Sequence, residues 1–289
     1  MMAEGVGQGR VTYHSPPPRR PKASRLGDMR RFVAPSPIVQ TKIGPAEQLF
    51  LAFYVEVNGE QNDSTRSPDA LEPLQIVRIG WVTGSAGVLR SYRQILVQPR
   101  GAILPSASEL HGVTEAIARD EGAPIETVLN EFLTDVLEIG AERGRLLAHD
   151  LSFHGGVVER ELARCSMTAL QQHWRASLRQ GLCLMDPDIG MWLLESHNHD
   201  CTQKPSSNAL PMNQVLHLLL PEYIATPLRG HTAHENAAIC LKIARALHEM
   251  TVPSCRRPGG RHIWKRIYNG AMRDNGEYHE TCSECGHTL

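Results

Sequence analysis

The sequence predicts an α/β fold with a mixed central sheet flanked by helices, and two observations support this class. Between residues 48 and 250, apolar segments of strand length alternate with segments of helical periodicity. The strands Leu74–Thr83 and Val88–Pro99 are separated only by a short turn with the sequence GSAG, which is typical of an antiparallel hairpin. The later strands are separated by helices, so the whole forms one domain of roughly 200 residues.

The first strand, within Gln48–Gly59, contains the first candidate functional residue. An unbroken apolar run from Leu49 to Val55 is followed by Glu56, and the segment ends in Asn-Gly. Such a run predicts a buried strand. A carboxylate at its end is costly unless it is paired or binds a metal, which makes Glu56 a candidate ligand. The alternative is a carboxylate at a solvated strand end.

The remaining elements follow from periodicity and turn residues. The segment RLLAHDLSFH predicts a strand and its outgoing turn, and Gln180–Met185 predicts a further short strand. The predicted helices are Ile125–Leu137, Val157–Cys165, Met212–Leu220 and His231–Met250.

The two ends of the chain differ in composition from this domain. Residues 1–47 carry eight Lys or Arg against three acidic residues and little apolar periodicity, which predicts a disordered basic arm. The arm could be a targeting peptide, a contact to an anionic or protein partner, or a solvated tail. Residues 251–289 form a separate basic tail.

Composition excludes some classes of protein. The formal charge of −1 and the pI near 6.9 predict no attraction of the whole protein to nucleic acid, so any such attraction is local. No apolar run approaches the roughly 20 residues that span a bilayer, so we expect no interaction with a membrane. No apolar run of the kind found in secretory signals follows Met1, so we expect no secretion. The odd count of seven cysteines, with Cys165, Cys183 and Cys240 in apolar, helix-like segments, predicts reduced thiols. We therefore expect an intracellular protein, in the nucleus, the cytoplasm or an organelle.

Six segments, taken in order, resemble the sequence blocks of the DnaQ-like 3′–5′ exonucleases of the DEDDh type, which have a ribonuclease-H-like fold. The first strand resembles a block that normally ends in D-x-E-T-T-G, and Glu109–Thr114, ELHGVT, closely matches E-L-H-G-I-T. The other four are LQIVRIGWVT, Leu146–His154, Leu184–Asp186 and His231–Ala238. The resemblance covers residues 48–250 and implies binding of single-stranded DNA or RNA.

The resemblance also implies a catalytic site, which this chain keeps only in part. The family uses two divalent ions, Mg²⁺ or Mn²⁺, held by four carboxylates, together with a histidine that acts as general base. Here Glu56 and His231 are retained. The three aspartate positions of the family are occupied by Tyr54, His154 and Asn236.

Other family positions have changed as well. Val57 and Asn58 replace a pair of threonines that contacts the terminal nucleotide, and His111 lies in the ELHGVT turn as a substrate-binding or structural residue. Asp150 is a nearby carboxylate that could rebuild a single-metal site together with Glu56, His154 and Asn236. Two hypotheses follow: a pseudo-exonuclease that binds nucleic acid or a protein without cutting, and an active exonuclease with a rebuilt site. If only the ligands are missing, restoring the three aspartates should restore activity.

The C-terminal tail has the spacing of a possible zinc knuckle. Cys282 and Cys285 form a Cys-x2-Cys pair, and His279 and His287 lie beside them. Thiolates and imidazoles at such spacing are typical ligands of Zn²⁺. The alternative is a flexible tail with two thiols that bind no metal.

Overall fold

A computed structural model of the 289-residue chain describes residues 35–45, 47–59, 74–85, 88–197, 209–220, 232–251, 264–267 and 279–282. The strands are β1 Phe50–Val57, β2 Ile76–Gly84, β3 Leu89–Leu96, β4 Arg145–Ala148, β5 Leu182–Cys183, β6 Trp264–Ile267 and β7 His279–Cys282. The helices are α1 Pro37–Ile43, α2 Pro105–His111, α3 Glu115–Glu121, α4 Ile125–Ala141, α5 Leu151–Arg164, α6 Thr168–Gln180, α7 Pro187–Ser196, α8 Met212–Leu219 and α9 Ala233–Thr251.

Strands β1 to β5 form one mixed sheet in the order β3-β2-β1-β4-β5. The pairs β1–β2 and β2–β3 are antiparallel, and the pairs β1–β4 and β4–β5 are parallel. This order, with these strand directions, is that of a ribonuclease-H-like fold, so the predicted fold class is confirmed. The carboxyl ends of β1, β4 and β5 lie at the same edge of the sheet, which is where a ligand-binding cleft is expected.

Apolar residues cover both faces of the sheet. Alternate side chains of β1 belong to two separate clusters: Phe53 and Val55 pack with α4, α5 and α6, whereas Phe50 and Ala52 pack with α7, α8 and α9. This alternation follows from the two-residue period of a strand. It also decides which face each polar residue of β1 occupies.

Helix α9 packs unusually close to the sheet at Gly80 of β2. A Cβ atom at Gly80 would lie 2.2 Å from the backbone nitrogen of His234 and 2.5 Å from the carbonyl carbon of Ala233. Only a glycine permits this approach of two backbones. Because Gly80 pairs with Tyr54 across β1 and β2, the first turn of α9 lies beside Tyr54.

The structure corrects only the last part of the prediction that residues 1–47 form a disordered arm, since residues 1–34 lie outside the described residues. Residues 37–43 are helix α1, which begins with a hydrogen bond from the Val39 N–H to the side chain of Ser36. The side chains of Val39 and Ile43 are buried. Lys42 donates to the carboxylates of Asp186 and Asp188 at 2.7–2.8 Å and fixes the helix to the start of α7. Two apolar residues four apart were too weak a pattern to predict it.

Three further differences concern helices. The LSFH segment, predicted as a turn after β4, is the first turn of α5, because Asp150 accepts a hydrogen bond from the Phe153 N–H and begins the helix there. Helix α6 was not predicted: it is polar on most of its surface and buries only Trp174 fully. Helix α7 was also missed, although Asp186 and Pro187 are a typical helix start.

Three more observations bear on the predictions. Cys165, Cys183 and Cys240 form no disulfide bond, as predicted. In the tail, β6 and β7 pair antiparallel, with Trp264 opposite Cys282. Of the helices that the structure describes, none combines the length and the apolar character needed to cross a lipid bilayer.

Candidate functional site

Strand β1 directs Tyr54 and Glu56 to the face of the sheet that α9 covers. Tyr54 packs against the same cluster as Phe50 and Ala52, and Glu56 is two residues further along the strand. The side chain of Glu56 is only 5% exposed. A buried carboxylate requires a partner, and the identity of that partner decides what the cleft can do.

The partner of Glu56 is Arg78, which lies directly opposite it on β2. The Nε–H of Arg78 donates to Oε2 of Glu56 at 2.6 Å. The Arg78 side chain is 11% exposed. The charges of the carboxylate and the guanidinium therefore cancel within a buried ion pair, and removing one partner of such a pair typically costs about 3–5 kcal/mol.

Burial also affects the protonation of Glu56. Desolvation raises the pKa of the Glu56 carboxyl to about 7, although the hydrogen bond and the charge of Arg78 act in the opposite direction. Burial disfavours the ionised form of an acid. The ionised form of Glu56 therefore depends on Arg78, and its carboxylate is committed to that pair rather than available to a hard cation.

The ELHGVT turn provides the second hydrogen-bond partner of the Arg78 guanidinium. Nη2 of Arg78 donates to the backbone carbonyl of His111 at 2.7 Å. Nδ1 of His111 accepts from the Val113 N–H at 3.1 Å, so Nε2 carries the proton and donates to the carbonyl of Val57 at 3.2 Å. Burial lowers the pKa of His111, which keeps the ring neutral. Both ring nitrogens of His111 therefore have backbone partners, and substrate binding by His111 stays a prediction.

His154 occupies the edge of β1 beyond the point where β4 ends. Its Nδ1 accepts a hydrogen bond from the backbone N–H of Val55 at 3.4 Å. Its ring centroid lies 4.2 Å from that of Tyr54 and 5.2 Å from that of Phe153. Burial among these rings lowers the pKa of His154 to about 3, despite the opposing charge of Asp150. The imidazole is thus neutral, and one of its two nitrogens already accepts a backbone proton.

Tyr54 itself and two neighbouring titratable groups, Cys240 and His149, are neutral as well. Burial, with the nearby Cys240 as the next cause, raises the pKa of Tyr54 to about 12, so its phenol remains protonated. Burial raises the pKa of the Cys240 thiol to about 12 as well. His149 follows β4, and burial lowers its pKa to about 4. None of the three supplies the negative charge that a dication requires.

Asp150 and Glu235, the carboxylates nearest in sequence to His154 and Asn236, make hydrogen bonds at the starts of α5 and α9. Asp150 accepts from the Phe153 N–H at 3.0 Å and from the Ser152 hydroxyl at 2.8 Å. Glu235 accepts from both the N–H and the hydroxyl of Thr232 at 2.7 Å, as in a capping box. Asn236 is a buried residue of the first turns of α9. The predicted involvement of Asp150 in a metal site stays a prediction.

Val57 and Asn58, which are predicted to bind substrate, have side chains with partners inside the protein. The Val57 side chain packs in the core. The side chain of Asn58 accepts from the Gln75 N–H at 2.9 Å and donates to the Ala102 carbonyl at 3.2 Å. Its backbone N–H and carbonyl bond to Gln75 and Leu104. Asn58 therefore connects the end of β1 to the start of β2 and to the segment before α2.

Several predicted ligands cannot be compared with the structure. His231, the predicted general base, lies outside the described residues, as do Cys285 and His287 of the predicted zinc knuckle. For His279 and Cys282 the structure describes the backbone of β7 alone. Zinc binding by the tail stays a prediction.

The residues present do not fit the pair of divalent ions that the resemblance implies. Such a pair needs several carboxylates, and Glu56, the one that the resemblance retains, has its charge cancelled by Arg78. The charge of Asp150 acts on Tyr54 and His154, but its carboxylate accepts the hydrogen bond that begins α5. A dication placed beside Glu56 would also be repelled by the guanidinium. Among the residues that the structure describes, no group of three or more His, Cys, Asp or Glu side chains is arranged to hold a metal ion.

Sequence reasoning did not identify Arg78 as a functional residue. The available signal was a charged residue in the middle of the apolar segment LQIVRIGWVT, since a buried arginine needs a partner. Its pairing with Glu56 could not be derived. Residues 60–73 separate β1 from β2, and a connection of that length does not set the register as a tight turn does.

Comparisons with solved structures find similar folds at low sequence identity. E. coli exonuclease I in complex with a dT13 oligonucleotide is 14% identical, with a TM-score of 0.49 over 68% of this chain and 40% of that chain. Cell-death related nuclease 4 is 13% identical, with a TM-score of 0.47 over 78% of this chain and 73% of that one. The nuclease domain of 3′hExo, a DEDDh family member bound to rAMP, is 12% identical, with a TM-score of 0.42 over 71% and 92% of the two chains.

The similarity to these structures concerns the fold and not the activity. The order and directions of the strands identify the ribonuclease-H-like fold. The chain spans about two fifths of the length of the exonuclease I chains, 42% in the apo structure. No protein-family model matches the chain. No curated protein matches it either.

Proposed function

We propose that this domain is a pseudo-exonuclease, which binds single-stranded DNA or RNA without metal-dependent hydrolysis. The observation that carries the proposal is the buried pair of Glu56 and Arg78. The one carboxylate that the resemblance leaves in the cleft is neutralised by a fixed cation of the chain itself. The neutral rings of Tyr54 and His154 add no negative charge. Without that charge, the cleft cannot concentrate two dications.

Three features of the chain favour nucleic acid as the ligand. The six segments that resemble exonuclease blocks are in the order of the family, and the sheet places the carboxyl ends of β1, β4 and β5 at one edge, where a ligand-binding cleft is expected. The N-terminal arm carries an excess of Lys and Arg. The C-terminal segment RRPGGRHIWKRIY combines basic and aromatic residues, which can contact phosphates and stack on bases.

The 289-residue protein is expected to bind labelled single-stranded DNA and RNA oligonucleotides equally well in EDTA and in Mg²⁺. Phosphate contacts made by Lys and Arg need no metal, so affinity should fall with increasing salt concentration. Fluorescence anisotropy measures the affinity, and gel analysis of the same samples measures oligonucleotide length. A blunt duplex of the same sequence is the control ligand and should bind more weakly. Binding that requires Mg²⁺ and is accompanied by shortening from the 3′ end would support the active exonuclease instead.

A further inference from the structure

Arg78 is the one lysine or arginine among the buried residues that the structure describes. It extends from the first half of β2 toward the end of β1 and the ELHGVT turn, where Glu56 and the carbonyl of His111 hold it. Both contacts are short, at 2.6 and 2.7 Å, so the guanidinium is fixed in one position. An arginine held in this way is pre-organised, and it loses little side-chain entropy when it binds a further ligand.

The guanidinium has donors beyond those two bonds. Arginine carries five N–H groups, and Glu56 and His111 use one each. The other three donate to no residue that the structure describes. A guanidinium binds phosphate oxygens through paired N–H groups, and such charge-assisted bonds are about twice as strong as neutral ones. The donor set therefore suits a phosphate group.

The position of Arg78 in the fold points to the same ligand. Glu56 is the position at which the resemblance places a ligand of the ions that hold a phosphate of the nucleic acid. Arg78 supplies positive charge at that position from the chain itself, since it lies opposite Glu56 in the register of β1 and β2. A fixed guanidinium can neutralise a phosphate, although it does not activate water as a metal does.

We propose that Arg78 binds a phosphate group of nucleic acid directly, at the position that metal ions occupy in the exonucleases that the chain resembles. This inference rests on the proposed function and names the residue that contacts the ligand. Glu56 has a defined part in it. Its carboxylate positions the guanidinium and cancels its charge, so it competes with the phosphate for the same cation. The pair sets the affinity of the site.

Two substitutions separate this binding role from a structural one, because they are expected to act in opposite directions. Arg78→Met should weaken binding of 5′-AMP and of a single-stranded oligonucleotide by about tenfold or more, since it removes the cation. Glu56→Gln should strengthen both by several-fold, since it removes the competing charge and retains an oxygen that can accept from Arg78. Anisotropy measures the oligonucleotide affinity, and NMR titration measures that of 5′-AMP.

Matched controls cover charge and folding. Arg90→Met removes an arginine on β3 that is paired with Glu142 at the surface, and it should change affinity by less than about twofold. Because Arg78→Met leaves a buried carboxylate without its partner, the double variant Glu56→Leu/Arg78→Met is included, since apolar replacement of a whole buried pair is usually tolerated. This double variant should be folded, by circular dichroism, and should bind as weakly as Arg78→Met.

The outcomes distinguish the inference from the proposed function. Oligonucleotide binding by the wild type that none of these variants changes would overturn the role of Arg78 and leave the proposed function in place. Loss of affinity in both Arg78→Met and Glu56→Gln would show that the pair is only a structural connection. Arg78-dependent binding of 5′-AMP without oligonucleotide binding would show a phosphate site at Arg78, but it would overturn both its role in binding nucleic acid and the proposed function. No binding of either ligand by the wild type would overturn both.

Discussion

The variant that carries Tyr54→Asp, His154→Asp and Asn236→Asp is expected to remain inactive as long as Arg78 is present. These substitutions restore the carboxylates that the resemblance implies, but the guanidinium would still hold Glu56 at 2.6 Å and repel dications. Adding Arg78→Gln removes the cation and retains a hydrogen-bond donor near Glu56. The fourfold variant should therefore release mononucleotides from the 3′ end of single-stranded DNA in Mg²⁺ at least about tenfold faster than the threefold variant.

This expectation revises the simpler prediction that three aspartates suffice. The control is the fourfold variant with Glu56→Ala added, which should lose the activity. Folding is compared by circular dichroism and urea unfolding, since Tyr54→Asp removes a ring at the cleft and can cost a few kcal/mol. Equal activity in folded threefold and fourfold variants would show that Arg78 does not obstruct the site.

Gly80→Ala is expected to destabilise the protein by about 1–3 kcal/mol or more, because its Cβ would meet the backbone of α9 rather than a movable side chain. The contact would be 2.2 Å to the nitrogen of His234, so the first turn of α9 would have to shift away from β2. Thr232 and Asn236 belong to that part of the chain, and the cleft should change with it. The measurement is the free energy of unfolding in urea.

Gly140→Ala is the matched control for this substitution. Gly140 lies near the end of α4, and no heavy atom would lie within 4 Å of a Cβ placed there. Replacing an unconstrained helical glycine with alanine should stabilise the protein by about 0.5–1 kcal/mol. The same chemical change should thus have opposite signs at the two positions. A Gly80→Ala protein within about 0.5 kcal/mol of the wild type would contradict the close packing of α9 on the sheet.

The strands and long helices of the domain were predictable because their patterns are local. The apolar runs around Phe53 and Trp81 and the periodicity of Ile125–Leu137 reflect direct burial of each residue. Helix α6 buries little besides Trp174, and α1 is stabilised by its contacts with α7, so neither has a strong pattern of its own. Elements that depend on distant contacts for their stability are the ones that sequence periodicity misses.

The candidate site shows the same division. That Tyr54, His154 and Asn236 replace carboxylates is evident from the segments that resemble exonuclease blocks. That Arg78 neutralises Glu56 depends on the register of two strands joined by a long segment, and that His154 binds the Val55 N–H depends on α5 beginning at Leu151. Both depend on contacts between residues that are far apart in the sequence. They change the interpretation of the cleft from one that lacks ligands to one whose remaining carboxylate and histidine already have partners.

Titration of the wild-type protein with Mn²⁺ in a calorimeter tests whether the cleft has lost its two-metal chemistry. Because Arg78 neutralises Glu56 and the neighbouring rings are neutral, we expect no pair of sites with micromolar or tighter affinity in the wild type. The Glu56→Ala protein serves as the reference for ions bound elsewhere, and its titration should match that of the wild type. Two micromolar sites in the wild type that are absent from Glu56→Ala would contradict this interpretation and support an active metal-dependent exonuclease.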